Sequence, residues 1–417
     1  MIYGVIADDF TGASDIASFM VKGGFNVIQT IGIPDKNDLL LDDVDVIVVA
    51  LKTRSIASKE AIKKSIAACD WLINIAHAKQ IYFKYCSTFD STPKGNIGQV
   101  SEALMDKLKT NYIIHCPALP DNGRTVVHGH LFVNGQLLNH SGMENHPINP
   151  MHSADIAELL APQITGVIKR LELPIIEKDE ITIRRVIASL KQVEKTHIIC
   201  DSLTNHHLAN LAKAIFDIPL IAGGSGLGES LAKLYQLSNP KALKFLLPKQ
   251  QKKVVLSGSC SFMTNKQVDF YKKIAAHYEL DITKCLKLEK NYIKEIVDWV
   301  VDHQNDKYAP MVYATQPVNA LNKIKQRYGN KASIAIEKNF ALITKLLVKK
   351  GINTFIVAGG ETSGTVVSEL NAKQLQVGHE IVSGVPWLKD LKTGYCLALK
   401  SGNFGQENFF KIAQGSL

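Results

Sequence analysis

Along the first half of the chain, short apolar runs of strand length alternate with longer stretches in which apolar residues recur every three or four positions. Ile2–Ala7, Asn26–Ile31, Val44–Leu51, Ile81–Tyr85 and Tyr112–Cys116 read as strands. Residues 12–22, 57–78 and 97–109 read as helices, the second with Ile62, Ile66, Cys69 and Ile73 at spacings of four, three and four. This alternation predicts a largely parallel sheet with helices on both faces. The segment 124–140 breaks the pattern. Asn134-Gly135 lies between two apolar runs, the signal of a two-residue type I′ turn, so a β-hairpin excursion is expected here. Helix and strand signals resume at 153–160, 181–194, His197–Cys200, 205–215 and Leu220–Ala222. Residues 238–253 hold two prolines, several lysines and no period, and mark a domain boundary. Beyond it, Val254–Leu256, 311–314 and 354–358 read as strands, and 262–279, 288–303, 334–350 and a segment from Thr362 as helices. The expectation is an α/β protein of two domains, 1–240 and 250–417, each a mainly parallel sheet flanked by helices. A length of 417 residues agrees with two domains.

Composition narrows the function. No apolar run approaches the roughly 20 residues of a membrane span, and the start MIYGVIADDF lacks the pattern of a secretory signal. Seven cysteines, an odd number with no Cys-x-x-Cys pair, fit a reducing compartment and neither a disulfide framework nor a zinc knuckle, so a cytoplasmic protein is expected. The net charge is +9, yet of 48 basic residues only six are arginine. Arginine is the usual reader of phosphate and guanine forks. A lysine-rich, arginine-poor surface suits steering of small anions better than nucleic-acid binding. The expected partners are small molecules, with neither nucleic acid nor membrane, and self-association is left open.

In open parallel sheets, ligands bind at the carboxyl ends of strands. The loop after the first strand holds Asp8 and Asp9 before Thr11-Gly12; paired carboxylates can hold a cation or orient a hydroxyl, although one could simply cap the helix. Arg54 and Arg124 lie in similar loops, where a scarce planar fork could grip a carboxylate; a plain ion pair is the alternative. Lys84 to Asn96 gathers hydroxyls, Asp90 and two lysines, which suits a polyol or sugar acid. Five histidines fall between 128 and 152. His128 and His130 would share a face on a strand, but no further ligand pattern supports a metal, and a hydrogen bond from His130 to a polar substrate is the preferred reading. In the second domain, Ser257-Gly-Ser259, Gly359-Gly360-Glu361-Thr362-Ser363 and the turn ending at Gly405 offer bare backbone N–H groups suited to phosphate. A Cβ at Gly360 would be expected to clash with a phosphate or force an unfavourable φ. There is no Gly-Lys pair, hence no P-loop, and no Gly-x-Gly-x-x-Gly dinucleotide fingerprint, which counts against an NAD-dependent oxidoreductase.

Five motifs in one order resemble the four-carbon acid sugar kinase family: Ala7-Asp-Asp-Phe-Thr-Gly-Ala13, Lys84-Tyr-Cys-Ser-Thr-Phe-Asp-Ser-Thr92 with Gly95-Asn-Ile-Gly98, Ser141-Gly-Met-Glu-Asn-His-Pro147, Leu256-Ser-Gly-Ser-Cys-Ser261 and Ala358-Gly-Gly-Glu-Thr-Ser-Gly364. The likeness spans residue 2 to about 405 and is nearest the 3-oxo-tetronate 4-kinase branch. Lys94 stands where the D-threonate and D-erythronate kinase branches carry Arg, and those kinases are the alternative reading. The resemblance implies an acid-sugar-binding N-terminal domain, an ATP-binding C-terminal domain and phosphorylation of a C4 hydroxyl, with Mg²⁺ accompanying ATP. It implies that Asp9, with Asp8 and Asp90 as the other candidates, orients or deprotonates the attacking hydroxyl. Arg54, Lys84, Ser87, Ser91, Arg124 and His130 would hold the acid. Ser257, Ser259, Gly359, Gly360, Glu361, Thr362, Ser363 and Gly405 would hold the nucleotide. It leaves the Mg²⁺ ligands undefined.

Overall fold

The computed structural model describes residues 1–35, 43–145, 149–238, 245 and 251–415. His146 and most of the expected boundary at 238–253 lie outside the described residues. The chain divides into two compact units, Met1–Lys244 and Phe245–Leu417.

The first unit is built on eight parallel strands: β1 (Tyr3–Ala7), β2 (Val27–Ile31), β3 (Val46–Ala50), β4 (Gln80–Lys84), β5 (Tyr112–Cys116), β9 (Val167–Leu171), β10 (Thr196–Cys200) and β11 (Leu220–Gly223). Their spatial order is β2-β3-β1-β4-β11-β5-β10-β9. Every residue of β1, β3 and β4 is buried, as expected for strands covered on both faces. Helices Phe10–Lys22 and Asn205–Ile215 both pack on Gly226–Ser238, while Ser58–Asn74 packs on Ile97–Leu108. From β1 the chain turns back toward the β2 edge, and from β4 it runs onward to β5. The opposite departures open a crevice at the carboxyl ends of these neighbouring strands.

Between β5 and β9 lies the three-stranded excursion β6 (Arg124–Val127), β7 (His130–Val133) and β8 (Gln136–Leu137). Asn134 (φ 51°) and Gly135 (φ 80°) form the expected tight turn. A second such turn, His128 (φ 49°) and Gly129 (φ 74°), joins β6 to β7. His128 is therefore a turn residue, and the shared strand face with His130 does not exist. The Asp201 carboxylate accepts from the backbone N–H groups of His128 and Gly129 at 2.8 and 2.9 Å and holds that turn.

The second unit has four parallel contacts and an antiparallel flank: β12 (Lys253–Ser257), β13 (His277–Glu279), β14 (Met311–Tyr313), β15 (Thr354–Ala358), β16 (Gln374–Val382), β17 (Val385–Asp390) and β18 (Cys396–Lys400), in the order β13-β14-β12-β15-β18-β17-β16. The helix expected over 262–279 ends at Tyr271, and His277–Glu279 pairs with β14 instead, since sheet pairing outweighs a weak local period. The expected helix at 334–350 is preceded by another, Val318–Tyr328, and begins earlier, at Lys331. Trp387, Tyr271, Phe409 and Phe410 fill the core of this unit. Among the described residues, no helix is long and apolar enough to cross a membrane.

A buried polar chain crosses the first sheet. The Tyr85 hydroxyl meets His115 Nδ1 at 3.2 Å, His115 Nε2 meets His197 Nδ1 at 3.0 Å, and His197 lies 3.6 Å from the Glu102 carboxylate. Glu102 also accepts from the N–H groups of Thr165 and Gly166 and from the Thr165 hydroxyl at 2.7–2.8 Å. Burial raises the Glu102 pKa, but these donors outweigh it and bring it from 4.5 to about 2. A carboxylate with a lowered folded pKa stabilises the protein above its unfolded value and loses that contribution as pH falls from 4.5 toward 2. Glu102→Gln is expected to lower stability at neutral pH by about 1–3 kcal/mol. The gap between parent and variant should shrink at about pH 3. Urea midpoints at the two pH values check this, and a gap independent of pH would remove the ionised carboxylate as its source.

Candidate functional site

The strand register aligns the chemistry of the first unit. Ala7 pairs with Ala50 on one side and Lys84 on the other, so the residues that follow emerge side by side. The Asp8 carbonyl accepts from the N–H groups of Thr53 and Arg54, and the Asp8 N–H donates to the Lys84 carbonyl. Asn96 ties the neighbouring loops together, donating its side-chain amide to the carbonyls of Thr53 at 2.6 Å and Ile56 at 2.9 Å.

Arg54 grips Asp8 with two parallel bonds, Nε to Oδ2 at 2.9 Å and Nη2 to Oδ1 at 2.8 Å, and also donates to Asp9 Oδ1 at 2.7 Å. Nη1 points toward Asp90 Oδ2 at 3.9 Å. The fork expected to hold a substrate carboxylate is thus engaged by internal carboxylates. Asp9 caps helix Phe10–Lys22, accepting from the Gly12 N–H, and also accepts from the Thr11 hydroxyl. The capping role is therefore met, and the side chain keeps 26% exposure against 5% for Asp8. Burial raises the pKa of each aspartate. For Asp8 that effect wins over Arg54, whereas for Asp9 the charges of Arg54 and Lys84 and two donors win, and its pKa is lowered.

Lys84 is buried, donates to the Tyr85 carbonyl at 2.8 Å and lies 3.7 Å from Asp15. Asp90 accepts from the Thr88 hydroxyl at 3.0 Å. The Ser91 hydroxyl is buried without a hydrogen-bond partner among the described residues, and Ser87 sits against Gly224. Arg124 is on the excursion, its guanidinium donating to the Asn122 carbonyl; its Nε is buried and has no hydrogen-bond partner among the described residues. Its strand starts opposite Leu119, and the Pro117–Leu119 segment packs on Gly224–Gly226 at the same carboxyl edge. His130 Nδ1 lies 3.0 Å from the His128 carbonyl and does not join the Asp8–Arg54 group. Sequence reasoning missed Asp15 and Ser225, while Thr88 falls in the hydroxyl-rich loop it singled out. Ser225 donates to Asp15 and stands in Gly224-Ser-Gly226 directly after β11, a signal that placement after a strand could have supplied.

In the second unit a cavity of about 310 Å³ opens at the carboxyl ends of β12, β14 and β15. Ser259, Gly359, Gly360, Glu361 and Thr362 line it, as expected. Ile282, Leu321, Ile324 and Ile336 supply apolar lining. Ser257 is buried and bonded to Thr315 at 2.7 Å, Ser363 is buried, and Gly405 turns (φ 77°) against Phe409; none of these three lines the cavity. Glu337, which sequence reasoning missed, accepts from the hydroxyls of Thr362 and Thr365 at 2.7 Å each and fixes the start of helix Gly360–Glu369. Lys400, also missed, is fully buried at the end of β18. Its ammonium donates to the Thr264 hydroxyl and the Ser401 and Gly402 carbonyls at 3.0, 3.2 and 2.8 Å, and burial brings its pKa down to about 7. Among the described residues, no cluster of three or more His, Cys, Asp or Glu has metal-holding geometry.

Comparison with known proteins follows the same division. A family model described as a sugar-binding N-terminal domain matches residues 3–231, and one described as a nucleotide-binding C-terminal domain matches residues 254–410. A Haemophilus influenzae protein named 3-oxo-tetronate kinase is 46% identical over 99% of each chain. An Escherichia coli K12 protein of the same name is 46% identical over 91% of this chain and 97% of its own. Two crystal structures superpose on the whole chain. One is a Salmonella typhimurium LT2 protein provisionally named a tRNA synthase, with a TM-score of 0.93 and 43% identity, covering 100% of this chain and 99% of its own. The other is a Haemophilus influenzae protein with a TM-score of 0.87 and 46% identity, covering 99% of each.

The glycines of the cavity differ in what they require. Gly359 has φ 125°, and an added Cβ would lie 3.1 Å from the Ser259 nitrogen; Gly360 needs no special φ, and its Cβ would meet nothing within 4 Å. The strain expected of Gly360 thus belongs to Gly359. Gly359→Ala should lower stability by about 1–3 kcal/mol and weaken nucleotide binding, whereas Gly360→Ala should melt as the parent does. Melting curves and ATP titrations on both variants check this. Equal melting temperatures would refute the backbone requirement at Gly359.

Proposed function

The chain belongs to the four-carbon acid sugar kinase family, and from that premise we propose that it transfers the γ-phosphoryl group of ATP to the C4 hydroxyl of 3-oxo-tetronate, giving the 4-phosphate. The observation that carries the substrate assignment is full-length likeness to relatives named 3-oxo-tetronate kinase. In this reading the acid occupies the first unit and the nucleotide the cavity of the second. Phosphoryl transfer asks a protein for positioning and charge neutralisation more than for covalent chemistry.

The charge balance orients the acid. Asp8, Asp9, Asp15 and Asp90 outnumber Arg54 and Lys84, so the substrate carboxylate is repelled from this group while a hydroxyl donor is welcomed. Asp9, anchored by Arg54 yet reaching solvent, orients the C4 hydroxyl; Arg54 holds the aspartates in place. The acid's carboxylate is assigned to Arg124, whose buried Nε awaits an acceptor. Mg²⁺ accompanying ATP would supply charge neutralisation at the phosphates. Glu361 is the cavity carboxylate nearest in kind to a ligand for it.

Initial rates with Mg–ATP and 3-oxo-tetronate, D-threonate or D-erythronate, with ³¹P NMR of the product, test the assignment. The oxo acid should have the highest kcat/KM; faster turnover of either hydroxy acid would replace it with the sister reading. Arg54→Lys keeps the charge but loses the paired bonds to Asp8. Its kcat should drop by about tenfold or more with the KM for ATP unchanged, and an unaltered kcat would separate the Arg54–aspartate group from the chemistry.

A further inference from the structure

Three neighbouring parallel strands, β12, β15 and β18, end in Gly258–Ser261, Gly359–Thr362 and Ser401–Gly405. Backbone bonds stitch these ends together: Gly258 and Ser259 donate to the Ala358 carbonyl, and Gly359 donates to the Lys400 carbonyl. The Thr264 hydroxyl, which receives the Lys400 ammonium, itself donates to the Gly402 carbonyl at 2.8 Å. Gly402 lies so close to the serines that an added Cβ would stand 3.0 Å from the hydroxyls of both Ser259 and Ser261. Lys400 is therefore seated at the junction of the loops beside the cavity that Ser259 and Gly359 line.

What distinguishes this lysine is its lack of a counter-ion. It is 0% exposed, and among the described residues it forms no ion pair; its partners are two carbonyls, one hydroxyl and the Phe409 ring, whose centre lies 5.9 Å from the ammonium. Neutral hydrogen bonds or apolar packing could join the same loops without desolvating a cation, which is expensive when unpaired. Lys84 offers the contrast. It too is buried at a strand end and donates to the next carbonyl, but a carboxylate stands 3.7 Å away.

We propose that Lys400 is a positioning residue for the nucleotide polyphosphate: its uncompensated charge holds the three strand-end loops together and supplies the positive field that the phosphates enter. The inference rests on the nucleotide reading of this cavity. It predicts a dependence on phosphate number that a purely structural tie would not show.

The experiment is calorimetric titration of the full-length parent, Lys400→Met and Lys400→Gln with Mg–ATP, Mg–ADP, AMP and adenosine, after melting curves confirm which variants fold. The glutamine variant keeps donors for the carbonyls should the methionine one not fold. Affinity for ATP should fall by about tenfold or more, that for ADP and AMP by progressively less, and that for adenosine should not change. Equal losses for all four ligands, or none, would overturn the inference while leaving the nucleotide site intact, as would a failure of both neutral variants to fold. A parent that binds none of the four would instead overturn the nucleotide reading itself, and this inference with it.

Discussion

A cation with no access to water must find its stabilisation inside the protein, and both units are organised around one held at a strand end. Lys84 closes β4 and Lys400 closes β18; each turns its ammonium onto the carbonyl of the residue that follows. Parallel pairing makes this useful, because it brings several strand ends to one edge and leaves their loops without ladder partners. A buried ammonium with several donors gathers such loops into one fixed arrangement. The surroundings then separate the two sites. Aspartates crowd Lys84, whereas among the described residues Lys400 meets neutral oxygens and the face of the Phe409 ring.

That difference matches the demands of moving a phosphoryl group. The accepting hydroxyl is neutral and must be oriented by acceptors, the role proposed for the Asp8–Asp9–Asp90 group around Arg54. The donor carries several negative charges and is best met by backbone N–H groups and unpaired positive charge, which the second unit offers. The Gly359 backbone, at φ 125°, shows the local requirement most directly: the strand must turn at once into helix Gly360–Glu369 while staying in contact with the Ser259 loop.

Much of this was legible in the sequence because parallel strands covered on both faces are written as uninterrupted apolar runs. Tyr3–Ala7, Val46–Ala50 and Thr354–Ala358 stand out for that reason. Val167–Leu171 does not, since it lies at the sheet edge, is only partly buried and carries Lys and Arg. The antiparallel β16–β17 pair was missed because strands at the flank of a sheet lack the βα rhythm that announces the others. In the sites, residues in glycine- and aspartate-rich loops could be singled out. Lys84 was noticed through its hydroxyl-rich neighbours, but Lys400 is one lysine in a chain with 48 basic residues. Nothing in its type or spacing tells a buried lysine from a solvated one; only the packing of three separate loops does.

The scarcity of arginine carries a similar lesson about what a residue type can and cannot say. Arg54, Arg170 and Arg184 each make charged hydrogen bonds to carboxylates, Arg54 to Asp8 through a paired fork and to Asp9, Arg170 to Asp155 through one bond, and Arg184 to Glu180 and Asp217 through one bond each. A lysine-rich chain does keep arginine where a planar donor is needed. The acceptor in these cases is the protein itself. For Arg54 this follows from burial: two adjacent aspartates at the end of a buried strand repel one another and must be neutralised before any substrate arrives. A fork committed to that task orders the two carboxylates, and in the proposed reading it is withdrawn from direct recognition of the acid. Arg124, on a hairpin outside the sheet and with a buried nitrogen unpaired, carries no such internal obligation. The division of labour proposed for the two arginines thus rests on where the fold buries charge, which the spacing of residues along the chain does not encode.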